Sequence, residues 1–215
     1  MRSALLAVLL AFSSAALPQS ADVGLVNLVS GDVSYASSSG PPAKVQAFMK
    51  VRDGDRFNLA AGAQIRVVFF ESARQERWVG PASFRAIKGA SEPIAGKPSE
   101  VSNLPAGVQQ RIARVPELMQ SARLGGIQVR GGITQRQKAS LDQQETISAA
   151  RETYAKMRTD MPADDITPEL YLYAALYEFF MFADMKPVVT EMLRRQPESE
   201  DLKLLDAWVT TRLSK

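Results

Sequence analysis

The 215-residue chain predicts an α+β protein, an all-β unit placed ahead of a layer of helices. Between residues 23 and 87, short segments rich in Val, Phe and Ile are interrupted at short intervals by Gly, Pro and Ser, the cadence of an all-β unit. From residue 167 onward apolar side chains recur at helical spacing, with Pro and acidic residues at the boundaries. These two stretches read so differently that they form distinct units, within one domain or as two small ones.

Ahead of both, residues 1–21 read as a secretory signal peptide. Arg2 supplies the positive start, residues 4–12 form an unbroken apolar core, and Ser14-Ala15-Ala16 or Gln19-Ser20-Ala21 offer cleavage after Ala16 or Ala21. The apolar run is shorter than the ~20 residues that span a bilayer. The expected product is periplasmic or secreted, with no transmembrane segment after cleavage.

Composition narrows the chemistry. The chain has no cysteine and no histidine. Disulfide staples, a lipid-modified cysteine, zinc, copper or haem ligation, and Ser-His or Cys-His nucleophile pairs are thereby excluded. Carboxylates, a Ser-Lys pair, or calcium and magnesium held by oxygens would remain, and no cofactor is expected. Lys plus Arg number 26 against 23 Asp plus Glu, and loss of Arg2 with the leader lowers the formal charge from +3 to +2. So small an excess argues against nucleic acid as a partner.

The β unit opens with residues 26–29, the turn Ser30-Gly31-Asp32, and Val33-Ser34-Tyr35. Residues 36–42 are a loop by composition. Val45, Ala47 and Met49 alternate with polar residues, an alternation that Phe48 breaks. Asp53-Gly54-Asp55 is a tight turn. Residues 64–70 make the strongest strand, residues 76–79 precede Gly80-Pro81, and residues 83–87 alternate again.

Residues 88–105 are rich in Gly, Pro and Ser and predict a linker or meandering loop. A helix is expected over 108–124, with Ile112, Val115, Leu118, Met119 and Ala122 on one face and a kink or split at Pro116. Residues 125–132 form an extended segment between glycine pairs, and residues 134–158 a long, partly exposed helix. Thr167 is the expected cap of the next helix, with Pro168 at its first position and Glu169 in its first turn. That helix carries Leu170, Tyr171, Tyr173, Leu176, Tyr177, Phe180 and Met181. Asp184 is expected to cap a second helix, with Pro187 in its first turn, and Pro197 ends it. A third then opens at Glu198, Glu200 and Asp201 and turns Leu202, Leu205, Trp208 and Val209 inward.

The β segment resembles the FecR periplasmic-domain family over roughly residues 26–87. The likeness rests on Val29-Ser30-Gly31-Asp32-Val33, on Val51-Arg52-Asp53-Gly54-Asp55-Arg56-Phe57, on residues 61–69, and on Val79-Gly80-Pro81-Ala82-Ser83-Phe84. It implies a FecR-like antiparallel β sandwich or open barrel used in envelope signalling or interaction, and it brings no catalytic residues. Two departures stand out. Ser72-Ala73-Arg74 replaces the usual Asp-Gly after the long strand, and the β unit follows the leader directly, without the namesake's cytoplasmic anti-sigma segment and transmembrane helix. The C-terminal helices resemble a degenerate tetratricopeptide pair through residues 174–177, Asp184 and Pro197. The resulting division is a leader at 1–21, a β domain at 22–88, a linker and basic connector at 89–133, and a helical domain at 134–215.

Each candidate site stands beside a plainer reading. Asp53 and Asp55 lack the spacing of a calcium loop, and a turn accounts for them. Asp164 and Asp165 would suit paired catalytic carboxylates, but a helix start explains them equally. Arg111, Arg114, Arg123, Arg130, Arg136 and Lys138 are opposed only by Glu117. They are the candidate contacts for an acidic partner or an anionic glycan or lipid headgroup, against the plainer reading of a solvated helix face. Trp78, Tyr171, Phe179 and Phe182 are the candidate aromatic docking surface, against the plainer reading of core.

The leading expectation is a non-enzymatic exported module that engages an envelope protein partner. The alternative is a module for glycan, peptidoglycan or lipopolysaccharide that stacks sugars on Trp78 and its neighbours, and a carboxylate-based hydrolase ranks last.

Overall fold

The structure, a computed structural model, describes residues 21–37, 40–124 and 141–213. Residues 1–20, most of the expected leader, and the segment 125–140 lie outside the described residues, and with the latter Arg130, Arg136 and Lys138.

The chain is α+β. Its β part is two antiparallel five-stranded sheets. One contains β1 (Asp22–Ser30), β4 (Lys50–Arg52), β6 (Gln64–Phe69), β7 (Arg74–Val79) and β10 (Glu100–Asn103), in the order β10-β7-β6-β1-β4. The other contains β2 (Val33–Ala36), β3 (Ala43–Lys44), β5 (Arg56–Leu59), β8 (Ala82–Ile87) and β9 (Ala90–Ala95), in the order β3-β2-β5-β8-β9. Val26, Val33, Phe57, Ile65, Val67, Phe69, Trp78 and Phe84 fill the space between the sheets. Trp78, Phe84 and Phe57 stack in succession, with ring centroids 4.7 and 4.9 Å apart.

The first sheet is covered on both faces, which explains the apolar run in β6. Ile65, Val67 and Phe69 point into the sandwich, while Val68 joins Leu25 and Phe48 in a second core shared with the helices. A strand buried on two sides has no solvent face to fill with polar residues. Phe48 breaks the alternation of its segment because its backbone turns left-handed, φ 61°. That sends its ring to the helical core while Val45 and Met49 face the sandwich.

The helices follow as α1 (Val108–Ile112), α2 (Val115–Arg123), α3 (Leu141–Asp160), α4 (Thr167–Glu178), α5 (Phe182–Arg195) and α6 (Glu200–Leu213). The split expected at Pro116 falls between α1 and α2, with Pro116 in the first turn of α2, where a missing N–H costs little. Helix α4 is buried from Thr167 to Leu176, packed against α1, α2, α3 and α5. An apolar surface on every side requires that position. Leu202, Leu205, Trp208 and Val209 of α6 face inward as expected.

Several local expectations are corrected. The loop expected over 88–105 holds β9 and β10. Both are edge strands with largely exposed side chains, so no apolar alternation marks them in the sequence. Pro93 is tolerated because β9 has a neighbour on only one side. Thr167 does not cap α4, since its hydroxyl is drawn into a buried network and the carboxylate of Asp165 accepts the Thr167 N–H at 2.9 Å. Asp184 sits inside the first turn of α5 and pairs with Arg151 at 2.7 Å instead of capping. Pro187 lies inside α5, beyond its first turn.

Candidate functional site

The helical face of the first sheet is where buried polar groups collect. A register shift between Val26 and Leu28 bulges β1 at Asn27 and re-aims that side chain. The Asn27 amide donates to Thr167 Oγ1 at 2.5 Å and to Gln75 Oε1 at 3.4 Å. The Thr167 hydroxyl donates to Gln75 Oε1 at 2.6 Å, and Gln75 Nε2 donates to Asp165 Oδ2 at 2.5 Å. All four side chains are buried.

Arg66, only 1% exposed on β6, lies beside them. Its Nη1 is 3.7 Å from Asp165 Oδ1 and its Nη2 is 3.4 Å from Asp164 Oδ2, while Arg77 reaches Asp164 at 3.4 Å. The α3–α4 link is gripped from the other side as well. Arg158 donates to the carbonyls of Met161, Pro162 and Asp165, and Arg195 to the carbonyl of Ala163. The same two arginines flank the buried carboxylate of Glu169, at 3.0 and 3.3 Å. Asp164 and Asp165 thus lock the helices to the sheet, each held by arginine.

Another buried carboxylate, Glu76, works inside the β part. It accepts from Arg74 Nε at 2.5 Å, from Trp78 Nε1 at 3.2 Å, and from the amide and hydroxyl of Ser91. Ser91 belongs to β9 and Glu76 to β7, so this carboxylate ties an edge strand of one sheet to the other.

The three described cations of the basic stretch are paired across helices. Arg111 donates to the Tyr171 hydroxyl at 2.9 Å and lies 3.6 Å from Glu178. Arg114 reaches Glu178 at 2.7 Å, and Arg123 reaches Asp201 at 2.7 Å. Arg114 and Arg123 remain solvated, 60% and 40% exposed, while each is paired to an acid. The acids that neutralise them come from α4 and α6, far along the chain.

The aromatic candidates separate. Trp78 is fully buried, which corrects its assignment as a stacking surface: its indole belongs to the sandwich core. Tyr171 is buried too, its ring under the Arg111 guanidinium. Phe179 and Phe182 remain half-buried at the α4–α5 turn, where Phe182 meets Trp208 edge-on at 5.8 Å. Phe180 projects between them, 49% exposed and left-handed at φ 53°. Asp53-Gly54-Asp55 is a turn with Gly54 at φ 89°. Asp55 Oδ2 accepts from the Arg52 amide at 2.9 Å, and burial pushes its carboxyl above the usual range.

A cleft of about 920 Å³ opens in the described surface, within the range of ligand clefts, roughly 300–1,000 Å³. One wall is the end of β1 with residues 44–47. The other is the α5–α6 turn and the start of α6, with Arg123, Asp164 and Arg195 at its floor and rim. Leu28 and Val29 give the β wall its apolar part, beside the exposed Ser30, Lys44 and Gln46. Arg123, Asp164, Arg195 and Glu200 are each engaged by ion pairs. Lys44 and Glu198, on opposite walls, have no side-chain hydrogen bond and no ion pair within 4 Å among the described residues, although the charge of Glu198 acts on Lys203.

Among the described residues, no three His, Cys, Asp or Glu stand where they would hold a metal ion, and no helix is long and apolar enough to cross a membrane. Comparison with family models, with curated proteins and with solved structures finds no match.

Sequence reasoning missed Asn27, Arg66 and Gln75, the sheet's half of the polar lock. Arg66 left a signal, as the one charge in the most apolar strand of the chain. Asn27 and Gln75 left none, because both types are ordinary on a strand's solvent face.

Proposed function

We propose that this protein is an exported, FecR-like interaction module that binds a partner in the cleft between its β sandwich and its helical layer, without transforming it. The cleft carries this reading. It has the size of a binding site, its β wall carries the partly exposed Leu28 and Val29, and most of its charged groups are already committed to structural ion pairs. A binding surface needs shape and a few uncommitted polar groups, and Lys44 and Glu198 supply those. The leader-like start and the FecR-like strand pattern support an envelope setting.

The test is capture from an envelope extract by the trimmed protein and by a Val29→Arg variant, which fills the cleft with a charged side chain at a half-exposed position. Partners retained by the first and lost by the second are expected. Equal capture by both would reject the cleft as the binding face, and turnover of a retained molecule would reject the non-enzymatic reading.

A further inference from the structure

We infer that the ligand of the cleft is an extended peptide that adds a strand beside β1, a reading that rests on the cleft being the binding face. Strand β4 pairs with β1 only from Asp22 to Leu25. Two further backbone bonds, from Val26 N to Met49 O and from Phe48 N to Val26 O, carry that edge one residue on. Beyond it, Leu28, Val29 and Ser30 pair with β6 on one side, and among the described residues no strand lies on the other. The cleft runs along this half-paired stretch. An unpaired strand edge is a template for another extended backbone, which then gains main-chain hydrogen bonds that no compact ligand offers.

The charges describe the peptide. Lys44 stands on the sandwich wall and Glu198 on the helical wall, both exposed and neither in a close ion pair, with Glu198 acting on Lys203 only at longer range. A ligand of one sign would satisfy one of them and be repelled by the other. A chain bearing an acid and a base satisfies both, with apolar residues between them set against Leu28 and Val29.

A library of random heptapeptides displayed on phage, panned against the trimmed protein and against the Lys44→Glu, Glu198→Lys double variant, tests this. Both positions are exposed, so the variant keeps the fold. Enriched peptides are expected to alternate apolar and polar residues and to carry acid and base at opposite ends, with the order reversed on the variant. N-methylating alternate backbone nitrogens of the best peptide should weaken it at least tenfold while leaving its side chains intact. No enrichment, or an enriched peptide indifferent to N-methylation, overturns the inference. If extract capture still depends on Val29 in that case, only the peptide assignment falls. If it does not, the cleft itself falls.

Discussion

Arg66 places a full positive charge where water does not reach, and two aspartates from a distant link are what make that tolerable. Breaking such a pair strands a buried charge, at a cost of about 3–5 kcal/mol, whereas replacing both partners by neutral groups costs far less. Arg66→Met is therefore expected to lower stability by that amount in urea titration, and adding Asp165→Asn to recover a substantial part. Tyr173 presents the opposite case. Its hydroxyl is buried with no hydrogen-bond partner among the described residues, and burial pushes its phenol far above the usual range. Tyr173→Phe removes an unsatisfied group, so thermal melting should show no loss and a gain of up to about 1–2 kcal/mol. At Gly80 a Cβ would collide with the carbonyl oxygen of Ala60. The neighbour is backbone and cannot swing aside, so Gly80→Ala should cost about 1–3 kcal/mol in the same melts. The lone charge of Arg66 in an apolar strand was visible in the sequence. Its partners were not, since residues 98 positions apart share no local pattern.

At the scale of elements, periodicity served well wherever one face of an element meets core and the other meets water. The strands around Val33 and Phe84 and the stripes of α2 and α6 were legible on that ground. It failed for β9 and β10, which are exposed edges held by backbone pairing and by Ser91 on Glu76. It failed also for the capping of α4, because a tertiary network claimed the Thr167 hydroxyl. Helix α5 carries an acid-dependent contact. Hydrogen bonding from Arg194, reinforced by Arg195, holds the Glu191 carboxyl down to about 2. A lowered carboxyl stabilises the fold above its ordinary value of 4.5, and that contribution is lost as pH falls through about 2. Because these groups are partly solvated, the effect is small. Glu191→Gln should lower stability by under about 1 kcal/mol at neutral pH, with the difference from the parent shrinking across the acid window in parallel melts.

For the molecule as a whole, the outer face of the first sheet belongs to the same core as the helices. Leu25, Phe48 and Val68 would be bare without α1, α2 and α4. The expected 22–88 unit and helical domain therefore share a buried cluster, and coupled unfolding of the two is the expected consequence. The two tryptophans report on it separately, Trp78 from the sandwich and Trp208 from the helical layer. Single-tryptophan variants, Trp78→Phe and Trp208→Phe, are expected to show unfolding transitions that coincide with the far-ultraviolet signal of the same variant. Two separated transitions would show that the layers unfold independently. From sequence alone came the α+β class, the order of strands before helices, the split at Pro116, the inward face of α6, and the exclusion of cysteine and histidine chemistry. Those follow from local composition and period, which the chain carries residue by residue. Tertiary structure alone decided that Trp78 is core, that the arginines of the basic stretch are neutralised by α4 and α6, and that β1 ends beside an open cleft. Each depends on contacts between distant segments, and pairing at a distance leaves no period in a single sequence.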